Sequence, residues 1–205
     1  MTRAPFIHDD WMWAKYGKPL GLRYPTFRAA LNLLLRFGGE TIVETGTMRN
    51  MDIAGAGGST LLFGEHCSRH GGKLWTVDIN PQYIAYAKQA TAAFAGRIDY
   101  ATGDSVEFLT KFAGTIHLLY LDSMDCPPDP AADAGPSQRH CLAELGAAWG
   151  KVPAGGIVLL DDNMWPNGGK TRMAKGRLEE LGAKCVLDFY QTLWIKGERD
   201  AQAAR

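Results

Sequence analysis

Short apolar runs alternate with amphipathic segments along most of this 205-residue chain, and Gly and Pro residues separate them. Such alternation is typical of a parallel sheet whose strands are joined by crossover helices. The last two apolar runs are separated only by Tyr190 and Gln191, which predicts a hairpin that adds an antiparallel strand. We therefore predict a doubly wound, Rossmann-like α/β fold with helices on both faces of a seven-stranded sheet. The predicted strands are residues 41–45, 73–77, 98–101, 117–121, 157–160, 184–189 and 192–196.

The length of the chain suits one α/β domain, which we place at residues 24–198. Residues 199–205 are expected to form a disordered tail. Residues 1–23 mix aromatic and charged side chains, a composition that fits a lid over a substrate, a dimer contact or a packing strap. No stretch approaches the roughly 18 uninterrupted apolar residues of a membrane-spanning helix, so we expect a cytoplasmic protein without a signal peptide.

The charge balance narrows the possible partners. The chain carries 22 Lys and Arg residues and 22 Asp and Glu residues, so its formal net charge is zero. A chain without a basic field has little to attract phosphate backbones. We therefore expect a small-molecule substrate, with neither nucleic acid nor membrane as a partner, and a homodimer remains possible.

Acidic residues lie where the predicted strands end, and ligands of open α/β sheets bind at that edge. Glu44 and Gly46 end the first strand, and Gly46 would allow the backbone to turn tightly beside a ligand. Asp78 ends the second strand, where its carboxylate could bind both hydroxyls of a ribose or simply cap a helix. Asp104 follows the third strand and could hold an adenine amino group, cap the next helix, or do both.

The spacing argues against a nicotinamide-dependent oxidoreductase, which is the competing enzyme class. Gly46 and Asp78 are 32 positions apart, more than the roughly 20 that the dinucleotide fingerprint requires. No G-x-G-x-x-G motif follows the first strand, and a Tyr-x-x-x-Lys pair is also missing. These features argue against a dehydrogenase.

The strand ends together carry a family resemblance. In order, they are Val-Glu-Thr-Gly-Thr at 43–47, Val-Asp-Ile-Asn at 77–80, Gly-Asp-Ser at 103–105, Leu-Asp-Ser at 121–123 and Leu-Leu-Asp-Asp-Asn at 159–163. This series resembles the class I methyltransferases that use S-adenosylmethionine (SAM), over about residues 40–196. The last two motifs resemble the divalent-metal O-methyltransferases of the catechol and caffeoyl-CoA type and of the macrocin type.

The resemblance implies a methyltransferase domain and a set of ligand-binding residues. It implies metal ligands at Asp122, Asp162 and Asn163, because hard oxygen ligands suit Mg²⁺ or another divalent cation. Such a cation lowers the pKa of a bound hydroxyl, whose oxygen then attacks the methyl group. The alternative is that Asp161 and Asp162 cap the following segment and that Asp122 serves cofactor or substrate without metal. The cofactor-binding residues implied are Glu44, Gly46, Thr47, Ser59, Asp78, Ile79, Asp104, Ser105 and Asp122.

Further side chains are candidates for the reaction itself. His140 has a side chain suited to general base catalysis and is predicted to act with Asp122, although a capping or solvated histidine is the alternative. Trp165, Lys170 and Trp13 are predicted to contact the acceptor. We expect methyl transfer to a hydroxyl oxygen of a sugar, phenol or natural-product intermediate; the non-enzymatic alternative is a SAM-binding regulator or partner subunit. Two departures from the family pattern are the long loop at residues 48–57 and the additional carboxylate of Asp161.

Overall fold

The computed structural model describes residues 10–52 and 58–197. Seven strands form one sheet in the order β3-β2-β1-β4-β5-β7-β6. Strands β1 to β5 are parallel, and β7 runs antiparallel to both β5 and β6. The predicted Rossmann-like fold with an antiparallel C-terminal hairpin is therefore confirmed. The strands are β1 (Thr41–Thr45), β2 (Lys73–Asp78), β3 (Ile98–Thr102), β4 (Leu118–Leu121), β5 (Ile157–Leu160), β6 (Lys184–Asp188) and β7 (Thr192–Ile195).

Eight α-helices accompany the strands in the described ranges. Asn80 begins α5 by accepting a hydrogen bond of 2.9 Å from the backbone amide of Gln82, and Pro81 fits the first turn. Helix α5 ends at Ala90, and a 3₁₀ segment follows at Ala92–Arg97. The helices are α1 (Asp10–Met12), α2 (Lys18–Leu20), α3 (Tyr24–Arg36), α4 (Gly58–His70), α5 (Pro81–Ala90), α6 (Ser105–Lys111), α7 (Gly135–Trp149) and α8 (Arg172–Glu180).

Alternate residues of the central strands bury opposite faces of the sheet. In β4, Leu118 and Tyr120 join the core under α3, α4 and α5, whereas Leu119 and Leu121 join the core under α6, α7 and α8. Side chains of a strand point alternately to its two faces, so a strand that is apolar throughout requires cover on both. This accounts for the helices on both sides of the sheet.

The hairpin between β6 and β7 has one more connecting residue than predicted. Residues 189–191 join the two strands, because the amide of Phe189 turns back to donate 3.0 Å to the carbonyl of Gln191. Strand β6 is exposed along its whole length and forms the outer edge of the sheet. Strand β7 is buried between β5 and β6.

The described part of the N-terminal segment is helical and packs on the domain. A π-helix at Trp13–Gly17 lies between α1 and α2, and a 3₁₀ turn at Gly21–Arg23 leads into α3. Tyr16 is buried and donates 2.8 Å to the carboxylate of Glu65 on α4. The predicted lid or strap also includes residues 1–9, which lie outside the described residues, as do residues 53–57 of the long loop and the predicted tail. No described helix combines the length and apolar character needed to cross a bilayer.

Candidate active site

The carboxyl ends of β1, β2 and β4 open on one cleft of about 300 Å³. Three loops build it, each following one of these strands. The position is the one at which open parallel sheets bind ligands. Six of the predicted cofactor-binding residues line this cleft, namely Gly46, Thr47, Ser59, Asp78, Ile79 and Asp122. The other lining residues are Arg49, Asn80, Tyr83, Ser123 and Asp125.

Gly46 makes the close approach of two of these loops possible. Its φ is +80°, a left-handed conformation that glycine adopts without strain. A Cβ atom at this position would overlap the backbone carbonyl oxygen of Asp122. The amide of Gly46 also donates 2.8 Å to the carbonyl of Val77, so the turn after β1 is fixed against both neighbouring strand ends.

Asp78 lies at the end of β2 and organises the adjoining backbone. Its Oδ2 accepts 3.2 Å from the amide of Thr47, and its Oδ1 accepts 2.8 Å from the amide of Asn80. The hydroxyl of Thr47 is buried without a hydrogen-bond partner in the described part of the chain. Ile79 is 74% exposed at the cleft, so its apolar surface is available to a ligand there. These residues fit a nucleoside with a polar ribose and an apolar base.

Glu44 supports the cleft from below rather than lining it. It is buried, and its Oε2 accepts 2.8 Å from each of the hydroxyls of Thr60 and Thr76. Burial raises the pKa of Glu44 to about 7, against the opposing effect of these hydrogen bonds. The side chain thus joins β1 to α4 and β2 beneath the loop that carries Gly46 and Thr47.

The predicted adenine-binding residues have partners within the protein. Asp104 caps α6 by accepting 2.8 Å from the amide of Glu107 and is exposed outside the cleft lining. Ser105 lies 3.1 Å from Nε2 of His140. The capping alternative for Asp104 is therefore observed, and a cofactor contact of Asp104 stays a prediction.

His140 lies in a polar cluster beside the cleft. Its Nε2 is 3.0 Å from the hydroxyl of Ser123 and 3.5 Å from the carboxylate of Glu144, one helical turn further along α7. The hydroxyl of Ser123 donates 2.7 Å to the same carboxylate. The hydrogen bond to Glu144 raises the pKa of His140 above its ordinary value, against the effect of partial burial. Sequence reasoning did not identify Glu144, whose i, i+4 spacing from His140 was the available signal.

A charged cluster lies at the ends of β4 and β5. Lys170 ion-pairs with Asp122 and lies 3.2 Å from Oδ2 of Asp162. Arg23 donates to both oxygens of Asp161, at 2.9 and 3.2 Å. The hydroxyl of Tyr120 lies 2.8 Å from Asp161 and 3.1 Å from Asp122. We define the charged cluster as Arg23, Tyr120, Asp122, Asp161, Asp162 and Lys170.

The three carboxylates of the charged cluster face two cations, and the pKa values of Asp122 and Asp161 shift in opposite directions. Burial and the charge of Asp161 raise the pKa of Asp122 well above its ordinary value, although Lys170 opposes this. For Asp161, burial acts in the same direction, but Arg23 and Lys170 outweigh it and lower the pKa. Two carboxylates with opposite pKa shifts can take different roles. Of the two, Asp122 is the one that lines the cleft, and its side chain is 26% exposed.

The residues implied as metal ligands do not fit a metal ion in this arrangement. The ammonium of Lys170 contacts both Asp122 and Asp162. Oδ1 of Asn163 accepts 2.8 Å from Thr171 and 3.1 Å from Lys175, and its amide donates to Asp188 and the carbonyl of Phe189. In residues 10–52 and 58–197, no group of three or more His, Cys, Asp or Glu side chains suits a metal. The structure therefore does not bring Asp122, Asp162 and Asn163 together as a cation site.

The predicted acceptor contacts lie at different depths. Trp13 is 64% exposed and packs edge-on against Tyr24, away from the cleft lining. Trp165 donates 3.1 Å from its indole nitrogen to the hydroxyl of Tyr190, which in turn lies 3.3 Å from Asp162. Lys170 is 2% exposed in the charged cluster. Their contact with an acceptor stays a prediction.

Two parts of the site were missed in the sequence. Arg23 neutralises Asp161, and Tyr120 donates a hydrogen bond to it. Neither was predicted, because Arg23 lies in the N-terminal segment and Tyr120 lies inside an apolar strand. Arg49 and Asp125 form an ion pair of 2.7 Å at the cleft, joining the loops after β1 and β4. Opposite charges in two loops that follow neighbouring strands were the only signal for this second pair.

Comparison with known proteins identifies the family of the chain. A family model described as a methyltransferase domain matches residues 54–163, which is more than half of the chain. The matched range contains β2 to β5 and ends at Asn163. No curated protein sequence matches the chain.

Solved structures share the fold at low sequence identity. The SAH-bound methyltransferase PaMTH1 of Podospora anserina has a TM-score of 0.62 at 14% identity, covering 92% of this chain and 86% of its own. CalS11, a TDP-rhamnose 3'-O-methyltransferase of calicheamicin biosynthesis, has a TM-score of 0.60 at 17% identity, covering 96% and 89%. MycE, of the mycinamycin pathway and solved with Mg and SAH, has a TM-score of 0.64 at 16% identity, covering 93% of this chain and 55% of its own.

Proposed function

The chain belongs to the methyltransferase-domain family, within the class I SAM-dependent methyltransferases, and from this premise we propose that it methylates a hydroxyl oxygen of a small-molecule acceptor. The observation that carries the choice of oxygen is Asp122, a partly exposed carboxylate that lines the cleft at the end of β4. A hydroxyl is a weak nucleophile until a base takes its proton, whereas a neutral amine attacks without one. Sugars, phenols and natural-product intermediates are the acceptors that we propose.

The cleft residues support SAM as the methyl donor. The ribose hydroxyls would bind Asp78, whose oxygens each accept only one backbone hydrogen bond and retain further acceptor capacity. Ile79 would cover one face of the adenine, and the amide turn at Gly46 and the hydroxyl of Thr47 would face the rest of the nucleoside or the amino acid part. The donor methyl group would then point toward the end of β4, where Asp122 lies.

The proposed reaction is an in-line displacement at the methyl carbon. The O–H bond of the acceptor breaks and its proton passes to Asp122, while the acceptor oxygen forms a bond to the methyl carbon. The bond between methyl carbon and sulfur breaks, and the sulfonium becomes the neutral thioether S-adenosylhomocysteine (SAH). Much of the rate would come from holding oxygen, carbon and sulfur in line. Asp122 returns its proton to solvent after product leaves.

His140 is a second group able to handle a proton near this point. It reaches Ser123, which follows Asp122 in the chain and lines the cleft. We propose that His140 positions Ser123 and the loop after β4, with Glu144 fixing the imidazole. For His140 itself to act as the base, the acceptor hydroxyl would have to bind beside Ser123 instead of beside Asp122.

Methyl transfer from isotopically labelled SAM tests the proposal. The purified chain is incubated with catechols, simple phenols, sugar nucleotides and, as a comparison class, primary amines. Label is expected in base-stable methyl ethers and is expected to be lost in Asp122→Asn. Asp99→Asn, near the start of β3 and paired with Lys73, is the matched control that should keep activity. Label found only on amines, or full activity in Asp122→Asn, would overturn the assignment of the acceptor atom and its base.

A further inference from the structure

Lys170 is a charged side chain in an almost closed position. It is 2% exposed, and its ammonium contacts carboxylates that follow two adjacent strands, β4 and β5. Burial lowers the pKa of this lysine, but attraction to Asp122, Asp162 and Asp161 outweighs burial and leaves its pKa above the ordinary value. The side chain is thus held between the ends of these two strands.

The backbone around Lys170 is built to hold it there. Gly169 has a φ of +59°, and a Cβ atom on it would overlap the carbonyl oxygen of Asp162. Its carbonyl accepts 2.9 Å from the side-chain amide of Gln138, which also donates 3.1 Å to the carbonyl of Asn167. The turn thus presses against the end of β5 and directs the next residue, Lys170, between the two strand ends.

The place that Lys170 fills is where the resemblance implies a divalent cation. A magnesium ion requires near-octahedral oxygen ligands and does not share a position with an ammonium group. The third implied ligand, Asn163, is also engaged by Thr171, Lys175 and Asp188. The two observations are independent, because one concerns the centre of the implied site and the other its third ligand.

We propose that Lys170 takes the place of the divalent cation, so that this chain holds Asp122 for methyl transfer without a metal. Lys170 is a positioning residue: it contacts Asp122 and Asp162, and Asp122 is the side chain that reaches the cleft. The inference rests on the proposed function for its chemistry. Its test concerns the cation site itself and needs no acceptor.

The first experiment asks whether the wild-type protein binds a divalent ion here. EDTA-treated protein saturated with SAH is titrated with Mn²⁺ and followed by paramagnetic resonance, and the ammonium of isotope-labelled Lys170 is followed by NMR. We expect no saturable Mn²⁺ site, and a Lys170 signal that stays sharp as Mn²⁺ is added. A stoichiometric Mn²⁺ site that broadens the Lys170 signal would overturn the proposal.

The second experiment removes the lysine. Lys170→Ala leaves two neighbouring carboxylates without their cation, an arrangement that favours a replacement ion. We expect a gain of a saturable Mn²⁺ site in this variant and none in Lys111→Ala, which removes an exposed lysine of α6 that pairs with Glu107. A folded Lys170→Ala protein that binds no Mn²⁺ would contradict the proposal. If this variant does not fold, the wild-type titration decides alone.

Calorimetric binding of SAH separates the two proposals. If the wild-type protein does not bind SAH, the proposed methyltransferase function is wrong. The Mn²⁺ titration, by contrast, reports only on the charged cluster. SAH affinity and labelled methyl transfer by the wild type are both expected to be the same in EDTA and in excess Mg²⁺. A requirement for Mg²⁺ in either measurement would overturn the inference while leaving the methyltransferase assignment in place.

Discussion

The backbone amide of Thr47 donates a hydrogen bond of 3.2 Å to Oδ2 of Asp78, which ties the loop after β1 to the end of β2. One carboxylate therefore has two tasks: it holds the loop that begins at Gly46, and it offers remaining lone pairs to a ligand. A substitution at Asp78 affects both, and the choice of variant can distinguish them.

Replacing Asp78 tests the cofactor cleft. Asp78→Ala is expected to weaken SAH binding by at least about ten-fold, because hydrogen bonds to a charged group contribute about 1.5–3 kcal/mol each. Asp78→Asn keeps one acceptor oxygen for the loop and is expected to lie between Ala and the wild type. Calorimetric titration measures both, with Asp99→Asn as the control. Equal SAH affinity in all four proteins would show that the ribose binds elsewhere.

The pKa of His140 depends on Glu144. Their contact raises the pKa of the imidazole, so Glu144→Gln is expected to lower it toward the ordinary histidine value. NMR titration of the His140 ring signals measures the change directly. Glu107→Gln, an exposed glutamate of α6 that pairs with Lys111, serves as the control and should leave the His140 titration unmoved. An unchanged midpoint in Glu144→Gln would mean that another group sets this pKa.

Glu44 makes stability fall as pH rises. Its pKa is about 7 in the folded protein, against 4.5 for an ordinary glutamate, so between these values the folded chain keeps a proton that the unfolded chain has released. The contribution of Glu44 to the free energy of unfolding is largest below about pH 4.5. It decreases as pH rises through 7, by at most about 3 kcal/mol. Glu44→Gln keeps an acceptor for Thr60 and Thr76 and removes the titration.

Denaturant unfolding of the cofactor-free protein at about pH 5 and pH 8 measures this effect. We expect Glu44→Gln to gain stability relative to the wild type as pH rises across this range. Glu40→Gln, an exposed residue just before β1, should follow the wild type. Parallel curves for wild type and Glu44→Gln would exclude Glu44 as the titrating group.

Two glycines of the C-terminal third are expected to respond in opposite directions to alanine. Gly169→Ala forces a φ of +59° on a residue with a Cβ and drives that atom into the backbone of Asp162. We therefore expect the free energy of unfolding to fall by about 3 kcal/mol or more. Gly176→Ala lies within α8 with open space around its Cβ position, and we expect a gain of up to about 1 kcal/mol. Thermal and denaturant unfolding compare the pair. A Gly169→Ala protein as stable as the wild type would argue against the tight turn.

The sheet was predictable because its signal is repeated in every strand. Apolar runs such as Leu118–Leu121 are long enough to be buried on both faces, and an acidic or glycine residue ends or directly follows each of the five parallel strands. The cleft residues Gly46, Asp78 and Asp122 followed from the same logic, since the carboxyl ends of parallel strands meet at one edge. The hairpin was one residue longer than predicted because backbone pairing at Phe189 depends on local turn geometry.

The partners of the charged cluster were not predictable in the same way. Asp162 and Asn163 are adjacent in sequence, but Asp162 has a φ of +55°, and this turn separates the directions of their side chains. Asn163 therefore reaches Thr171 and Asp188 while Asp162 reaches Lys170. The sequence placed Lys170 near the site but could not show that its ammonium would lie between two strand ends. That outcome depends on the turn at Gly169.

The ion pair between Arg23 and Asp161 has a bearing on how this enzyme can be re-engineered. An exchange of the segment ahead of α3 would leave every described strand of the sheet in place. Here such an exchange at Tyr24 would remove the guanidinium that neutralises a fully buried carboxylate one strand away from Asp122. A chimera that retains Arg23 and exchanges only the residues before it would preserve the charge balance behind the reaction centre.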